Sequence, residues 1–227
     1  MRLRLMTALL FTLLLQAAWA QDDSHNAIKG NRGNQLVGVR LGIYHFTSNE
    51  ESIFGDNLIS SSTTNNGFAA EVFFNYFFLD QMALEVSLGN ANRGDILYEN
   101  ESIGRLFGSA GVYPMTLGLK ITPLSGIVSD HYQPYIHGGG SLVVTREIFE
   151  GGTLYTDQYA YYDFGSKSRT AFGWWAGGGF ESYVSSTIAV TSNFKYYSID
   201  YSKYIAGYKD HSGYQISVGI AYIFRKK

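Results

Sequence analysis

The chain closes on YQISVGIAYIF, Tyr214–Phe224, and in this stretch the side chains sort into two sets by position. Tyr214, Ile216, Val218, Ile220, Tyr222 and Phe224 are large and apolar, while Gln215, Ser217, Gly219, Ala221 and Ile223 between them are mostly small or polar. Successive side chains of a strand point to opposite faces, so this two-residue period demands a sheet with unlike faces and excludes a helix.

The same period recurs upstream. In QLVGVRLGIYHF, Val37, Val39, Leu41 and Ile43 oppose Gly38, Arg40, Gly42 and Tyr44. In GFAAEVFFNYFF, Phe68, Val72 and Tyr76 oppose Ala69, Glu71, Phe73 and Asn75; in MALEVSLG, Leu84, Val86 and Leu88 oppose Glu85 and Gly89. LFGSAGVYPMTLGLKIT sets Leu117 and Leu119 against Gly118 and Lys120, with Pro114 marking a bulge or a late strand start. QPYIHGGGSLVV sets Ile136 and Leu142 against Tyr135, His137 and Gly139. TAFGWWAGGGFES places Trp175 and Glu181, and STIAVTSNFKYYSID places Asn193 and Lys195, on the small-residue face. The tally is eight strands of about 10–12 residues, the length a tilted strand needs to cross a bilayer. The stretches SNEESIFGDNLISSSTTNNG, NANRGDILYENESIGR, REIFEGGTLYTDQYAYYDFGSKS and YSKYIAGYKDHSG read as long polar loops. They alternate with shorter connections near Leu79–Gln81, after Thr122 and at Tyr183–Ser185.

A soluble barrel has the same period, with its apolar face inside. Here the other face is built from Gly38, Gly42, Gly89, Gly118, Gly139, Gly173, Gly177 and Gly219. Water gives no reason for so small a face, and glycine weakens strands. The interior of a narrow barrel does, because eight strands leave room only for packed side chains. Long loops alternating with short turns, and aromatic residues near strand ends, fit a transmembrane barrel. The large face, including Val39, Leu41, Val72, Leu117, Leu119, Val190, Val218 and Ile220, is therefore expected to meet lipid, and the sheet must close on itself. The interior is expected to be lined by Arg40, Tyr44, Glu71, Asn75, Glu85, Lys120, Tyr135, His137, Trp175, Glu181, Asn193 and Lys195. Confined charges pair: counting from the strand ends puts Arg40 near Glu71, Glu85 beside Lys120, and His137 level with Glu181. The same count sets Gly138–Gly140 opposite Gly177–Gly179, a thin place in the wall.

The start of the chain agrees with export. MRLRLMTALLFTLLLQAAWA has two arginines, a short apolar run and an Ala18-Trp19-Ala20 ending, the layout of a cleaved secretory signal. The expected organisation is a signal peptide over 1–20, a periplasmic segment over 21–34 and the barrel over 35–227. Beyond the leader no apolar run is long enough for a membrane helix. There is no cysteine, so closed hydrogen bonding and packing must hold the fold. Seventeen Lys and Arg face nineteen Asp and Glu with no basic patch, which argues against a nucleic-acid partner.

VYPMTLGLKIT, YQPYIHGGGSLVVT, AFGWWAGGGFESYVSSTIAVTSNFKYYSID and ISVGIAYIF resemble the OmpW-like small outer-membrane β-barrels. The resemblance is good over the second half and lies in pattern alone over the first. It implies an up-and-down antiparallel barrel with both termini periplasmic, in the outer membrane of a Gram-negative bacterium, among outer-membrane lipid and lipopolysaccharide. It implies that Phe224, with Tyr222, is the closing aromatic signal read by the barrel-assembly machinery, although Arg225-Lys226-Lys227 extend past it. It also implies passage of small hydrophobic solutes.

Catalytic signals are poor. His137-Gly138-Gly139-Gly140 matches an esterase oxyanion-hole pattern, but no G-x-S-x-G elbow accompanies it. His211-Ser212 are adjacent, and neighbours on a strand point apart. The five histidines lack zinc-site spacing. No catalytic residue, metal or cofactor is expected. The chain reads as a narrow pore or transporter for small solutes; the alternative is a structural or surface-interaction barrel with a plugged lumen.

Overall fold

β1 (Gln35–Phe46) begins a run of eight long strands: β2 (Asn66–Phe77), β3 (Met82–Asn100), β4 (Gly104–Ile121), β5 (Tyr132–Leu154), β6 (Gly165–Tyr183), β7 (Ile188–Ile205) and β8 (Gly213–Phe224). The computed structural model describes residues 31–48, 65–100, 104–125, 132–154 and 165–225, with short paired segments at 53–54, 57–58, 60–61 and 160–161. The leader, residues 21–30 and Lys226-Lys227 lie outside the described residues. Among the described residues there is no helix.

Each strand pairs antiparallel with its neighbour in sequence, and β8 returns to β1 from Gln35↔Phe224 to Phe46↔Gly213. The ring has no free edge at membrane depth, which is what hydrocarbon requires of a sheet. The start of β1 and the end of β8 sit at one rim, called here the terminal end; the opposite rim is the distal end.

Parity follows the alternation. Val39 and Leu119 are 53 % and 44 % exposed on the outer wall, while Arg40 and Lys120 beside them in sequence are 0 % exposed inside. Of the eight residues expected on the lipid face, seven are exposed and Val190 is half-buried.

Strand length departs from expectation. β1, β2 and β8 have 12 residues, but β3 to β7 run to between 18 and 23. Most of NANRGDILYENESIGR and the first part of REIFEGGTLYTDQYAYYDFGSKS are strand rather than loop. Polar residues do not stop a strand whose backbone groups are paired on both sides. The expected irregularity at Pro114 is a gap in the β3–β4 ladder beside Gly89 and Asn90, as its missing N–H requires, and β4 runs straight through it. The register shift lies higher, between Asn92 and Gly94, where Gly94 takes φ 87°.

β7 also continues into the last expected loop and folds back at once. Asp200↔Asp210 and Ile205↔Tyr208 pair across a two-residue turn, Ala206-Gly207, with φ of 52° and 81°. Two positive φ values in a two-residue hairpin are the type I′ geometry that matches strand twist.

Candidate functional site

The interior is filled in three layers. At the terminal end Leu36, Phe73, Phe77, Ala83, Tyr183, Ala189, Ala221 and Ile223 form an apolar cluster. At the distal end Tyr44, Phe46, Trp175, Tyr197, Ile199, Tyr201 and Ile205 close a second one with small residues from β2, β3 and β6. Between them lie Arg40, Glu71, Glu85, Lys120, His137, Glu181 and Lys195, all buried.

These groups are knitted together. Arg40 Nη1 lies 3.3 Å from Glu71 Oε2 and 3.5 Å from Glu85 Oε1. Lys195 Nζ pairs with Glu71 and lies 3.0 Å from Glu85 Oε1. His137 Nδ1 lies 3.1 Å from Glu85 Oε2. Lys120 pairs with Glu181, whose other oxygen accepts from the Tyr183 hydroxyl at 3.2 Å. The Asn75 amide, oriented to satisfy both its ends, donates to Glu85 Oε2 and accepts from Lys120 Nζ, each at 3.3 Å, joining the two groups. Each cation also lies over a ring: Arg40 on Phe73 at 3.7 Å, Lys120 on Tyr135 at 4.1 Å and Lys195 on Trp175 at 4.5 Å. Three cations and three anions leave the layer balanced, the condition under which buried charges are tolerated.

The outer membrane protein beta-barrel domain family matches this sequence over residues 6–224. The chain belongs to that family. Among solved structures this outer membrane β-barrel is similar to OprG from Pseudomonas aeruginosa, at TM-score 0.60 and 15 % identity over 86 % of this chain and 97 % of OprG. It is also similar to Ail, the attachment invasion locus protein of Yersinia pestis, at TM-score 0.50 and 15 % identity over 85 % of this chain and 99 % of Ail. Among curated proteins no sequence matches. Both likenesses are to outer-membrane barrels, and the protein is an outer-membrane protein of the Gram-negative type, in keeping with the OmpW-like resemblance.

Within the barrel, all twelve residues expected inside are buried. Tyr44 reaches the distal mouth, donating to His211 O at 3.1 Å. Tyr135 donates to Asn193 Oδ1 at 3.2 Å, and the Trp175 indole donates to Gly140 O at 3.1 Å. Arg40 is opposite Glu71 in register as counted. The other two pairings differ. Glu85 takes Arg40, Lys195 and His137 as ionic partners, and Lys120 takes Glu181. His137 is level with Gly177, whereas Glu181 is level with Gln133, four residues nearer the terminal end. Stagger between tilted strands, invisible to a count along each strand, causes both differences. It also separates the glycine triplets: Gly138–Gly140 face Trp174–Ala176, and Gly177–Gly179 face Tyr135–His137. There is no double-glycine seam between β5 and β6; Gly177 and Gly179 make room for the His137 and Tyr135 rings, while a Cβ on Gly138 or Gly139 would meet mainly backbone.

Tyr222 and Phe224 are exposed on the wall at the terminal end, their rings 4.7 Å apart. His211 and Ser212 do not meet as base and nucleophile: the Ser212 hydroxyl accepts from Ile199 N at 2.9 Å, and the imidazole bonds elsewhere. Among the described residues no three His, Asp or Glu groups gather to hold a metal.

Arg93, Glu147 and His211 are interior residues that reasoning from the sequence left in loops. Arg93 and Glu147 keep the odd parity of Glu85 and His137, so longer strands would have revealed them.

Proposed function

We propose that this outer-membrane barrel is closed to ions and water and acts through its frame and the long strands at its distal end, as a structural or surface-interaction protein. One observation carries the reading. The paired charged side chains of the middle layer are 0–1 % exposed, sealed between two apolar layers. A water-filled path would wet them. In this reading residues 1–20 are removed on export, both termini face the periplasm, and the distal strands stand outside the cell among lipopolysaccharide. Tyr222 and Phe224 serve the barrel-assembly machinery.

Single-channel recording in planar bilayers tests it. The refolded barrel is expected to be silent; steady, discrete openings would overturn the plug and favour a pore. The narrow-transporter reading keeps one point of support, the aromatic lining of the distal half around Tyr44, Trp175 and Tyr197. A small apolar solute finds chemistry to its taste there and meets charge below it.

A further inference from the structure

The hairpin after β7 is turned into the distal mouth rather than away from it. Ile205, Ala206, Tyr208 and His211 are buried. Its tip is held from β5, where Glu147 Oε2 accepts from Ala206 N at 3.2 Å. Its base is held by Tyr201, whose hydroxyl lies 2.7 Å from Thr145 Oγ1 and donates to Val143 O at 3.2 Å.

The return strand is held by Tyr44, which donates to His211 O, and by a pair of side chains, Arg93 and His211. His211 Nδ1 lies 2.8 Å from Arg93 Nη1, and His211 Nε2 lies 3.1 Å from Ile205 O. A guanidinium only donates, so Nδ1 accepts and the proton sits on Nε2, given to the Ile205 carbonyl. The ring is therefore a neutral imidazole in one tautomer. Arg93, on β3, also donates through Nη2 to Ser48 Oγ at 2.8 Å and lies over Phe46 and Tyr208 at 4.5 and 3.9 Å. It thus ties the hairpin to two walls of the barrel. The groups around His211 are Tyr44 and Phe46 from β1, Arg93 from β3, Glu147 from β5 at the tip, Tyr201 from β7, and Tyr208, Lys209 and Asp210 from the hairpin itself. The Asp210 carboxylate accepts from Ser212 N at 2.7 Å.

We propose that this hairpin is a lid on the distal mouth, latched by Arg93 and His211 and released when His211 takes a second proton. That proton must go to Nδ1, where it removes the Arg93 hydrogen bond and sets two positive charges at hydrogen-bond distance. Release uncovers the aromatic layer of Tyr44, Phe46 and Tyr197 to the outside, while the charged layer beneath stays sealed. The lid does not depend on whether the barrel conducts.

Burial, then the Arg93 charge, pushes His211 in the closed lid down to about 3. In an open lid the imidazole is in water and titrates near 6.5. The open form then binds more protons across that interval, so opening is favoured as pH falls. Between pH 7.5 and 5 the opening equilibrium rises about 30-fold.

The chain has no cysteine, so Lys209→Cys gives a single attachment point for a spin label on the hairpin. The full-length barrel, refolded in lipid vesicles, is read by electron paramagnetic resonance as the ratio of mobile to immobilised label. The expected result is a rise of about 30-fold from pH 7.5 to 5. His211→Gln, which still offers Arg93 an acceptor but takes no proton, should hold the ratio flat. An equal rise in that variant, or no rise in its parent, overturns the latch. If heat-dependent gel mobility shows that His211→Gln does not fold, Arg93→Gln replaces it. Without the neighbouring charge the acid response should shrink, and a full-sized response overturns the proposal.

Discussion

Lys120 on β4 and Glu181 on β6 close an ion pair over the inner face of β5, with neither side chain exposed. Removing one partner of a buried pair strands the other charge, at a cost of about 3–5 kcal/mol. Lys120→Met should lower stability by about that much. Lys120→Met combined with Glu181→Leu should recover most of the loss, since only the Tyr183 hydroxyl and the Asn75 amide oxygen are then left to find partners. Urea titration of the barrel in lipid vesicles, run as a double-mutant cycle, reads the difference; additive losses would mean that the pair is not coupled.

On the opposite face, Val218→Arg puts a cation into lipid between Ser217 and Gly219. The cost at mid-wall is about 2–4 kcal/mol. Unchanged refolding stability would show that this stripe is not in hydrocarbon.

Glycines of the wall should differ sharply by face. A Cβ on Gly118 would stand 2.3 Å from Gly138 O and 2.7 Å from Trp175 Cζ2, so backbone or a fixed indole must move. Gly118→Ala should cost about 1–3 kcal/mol through overpacking. A Cβ on Gly140 meets nothing within 4 Å, and Gly140→Ala should leave stability unchanged. Comparable urea midpoints for the two variants would refute the packing role given to Gly118.

At the lid, Gly207 takes φ 81° in the hairpin turn. Gly207→Ala costs about 1–2 kcal/mol for a side chain in the left-handed region. Hydrogen exchange at the amides of Tyr208–Asp210 should quicken about tenfold while exchange within β8 stays the same. Unaltered hairpin exchange would mean that the turn is not closed as described.

Face assignment was legible because it needs only parity: Arg40, Glu71, Glu85, Lys120 and Lys195 all fall on the small-residue face, and all are inside. Partner choice was legible for Arg40 and Glu71, which are opposite in register, and not for the others. Glu85 finds Lys195 and His137 through the diameter and shear of the closed barrel, and neither quantity is written in one strand. Strand ends failed for another reason. Arg93 sits in NANRGD, which looks like a turn by composition, yet backbone pairing carries β3 through it with Gly94 absorbing the register shift. With β3 stopped short, the Arg93–His211 pair could not be seen.

The order of signs along the chain bears on how such a wall enters a bilayer. Read from the first strand, the interior charges come as Arg40, Glu71, Glu85, Arg93, Lys120, Glu147, Glu181 and Lys195, with His137 and His211 counted as neutral. The running total never departs from zero by more than one unit, and the same is true read backwards from β8. A partly built sheet therefore carries almost no net charge toward the membrane interior, whichever end is laid down first. Balance of charge to within one unit here belongs to every partly built sheet, and full neutrality to the finished ring.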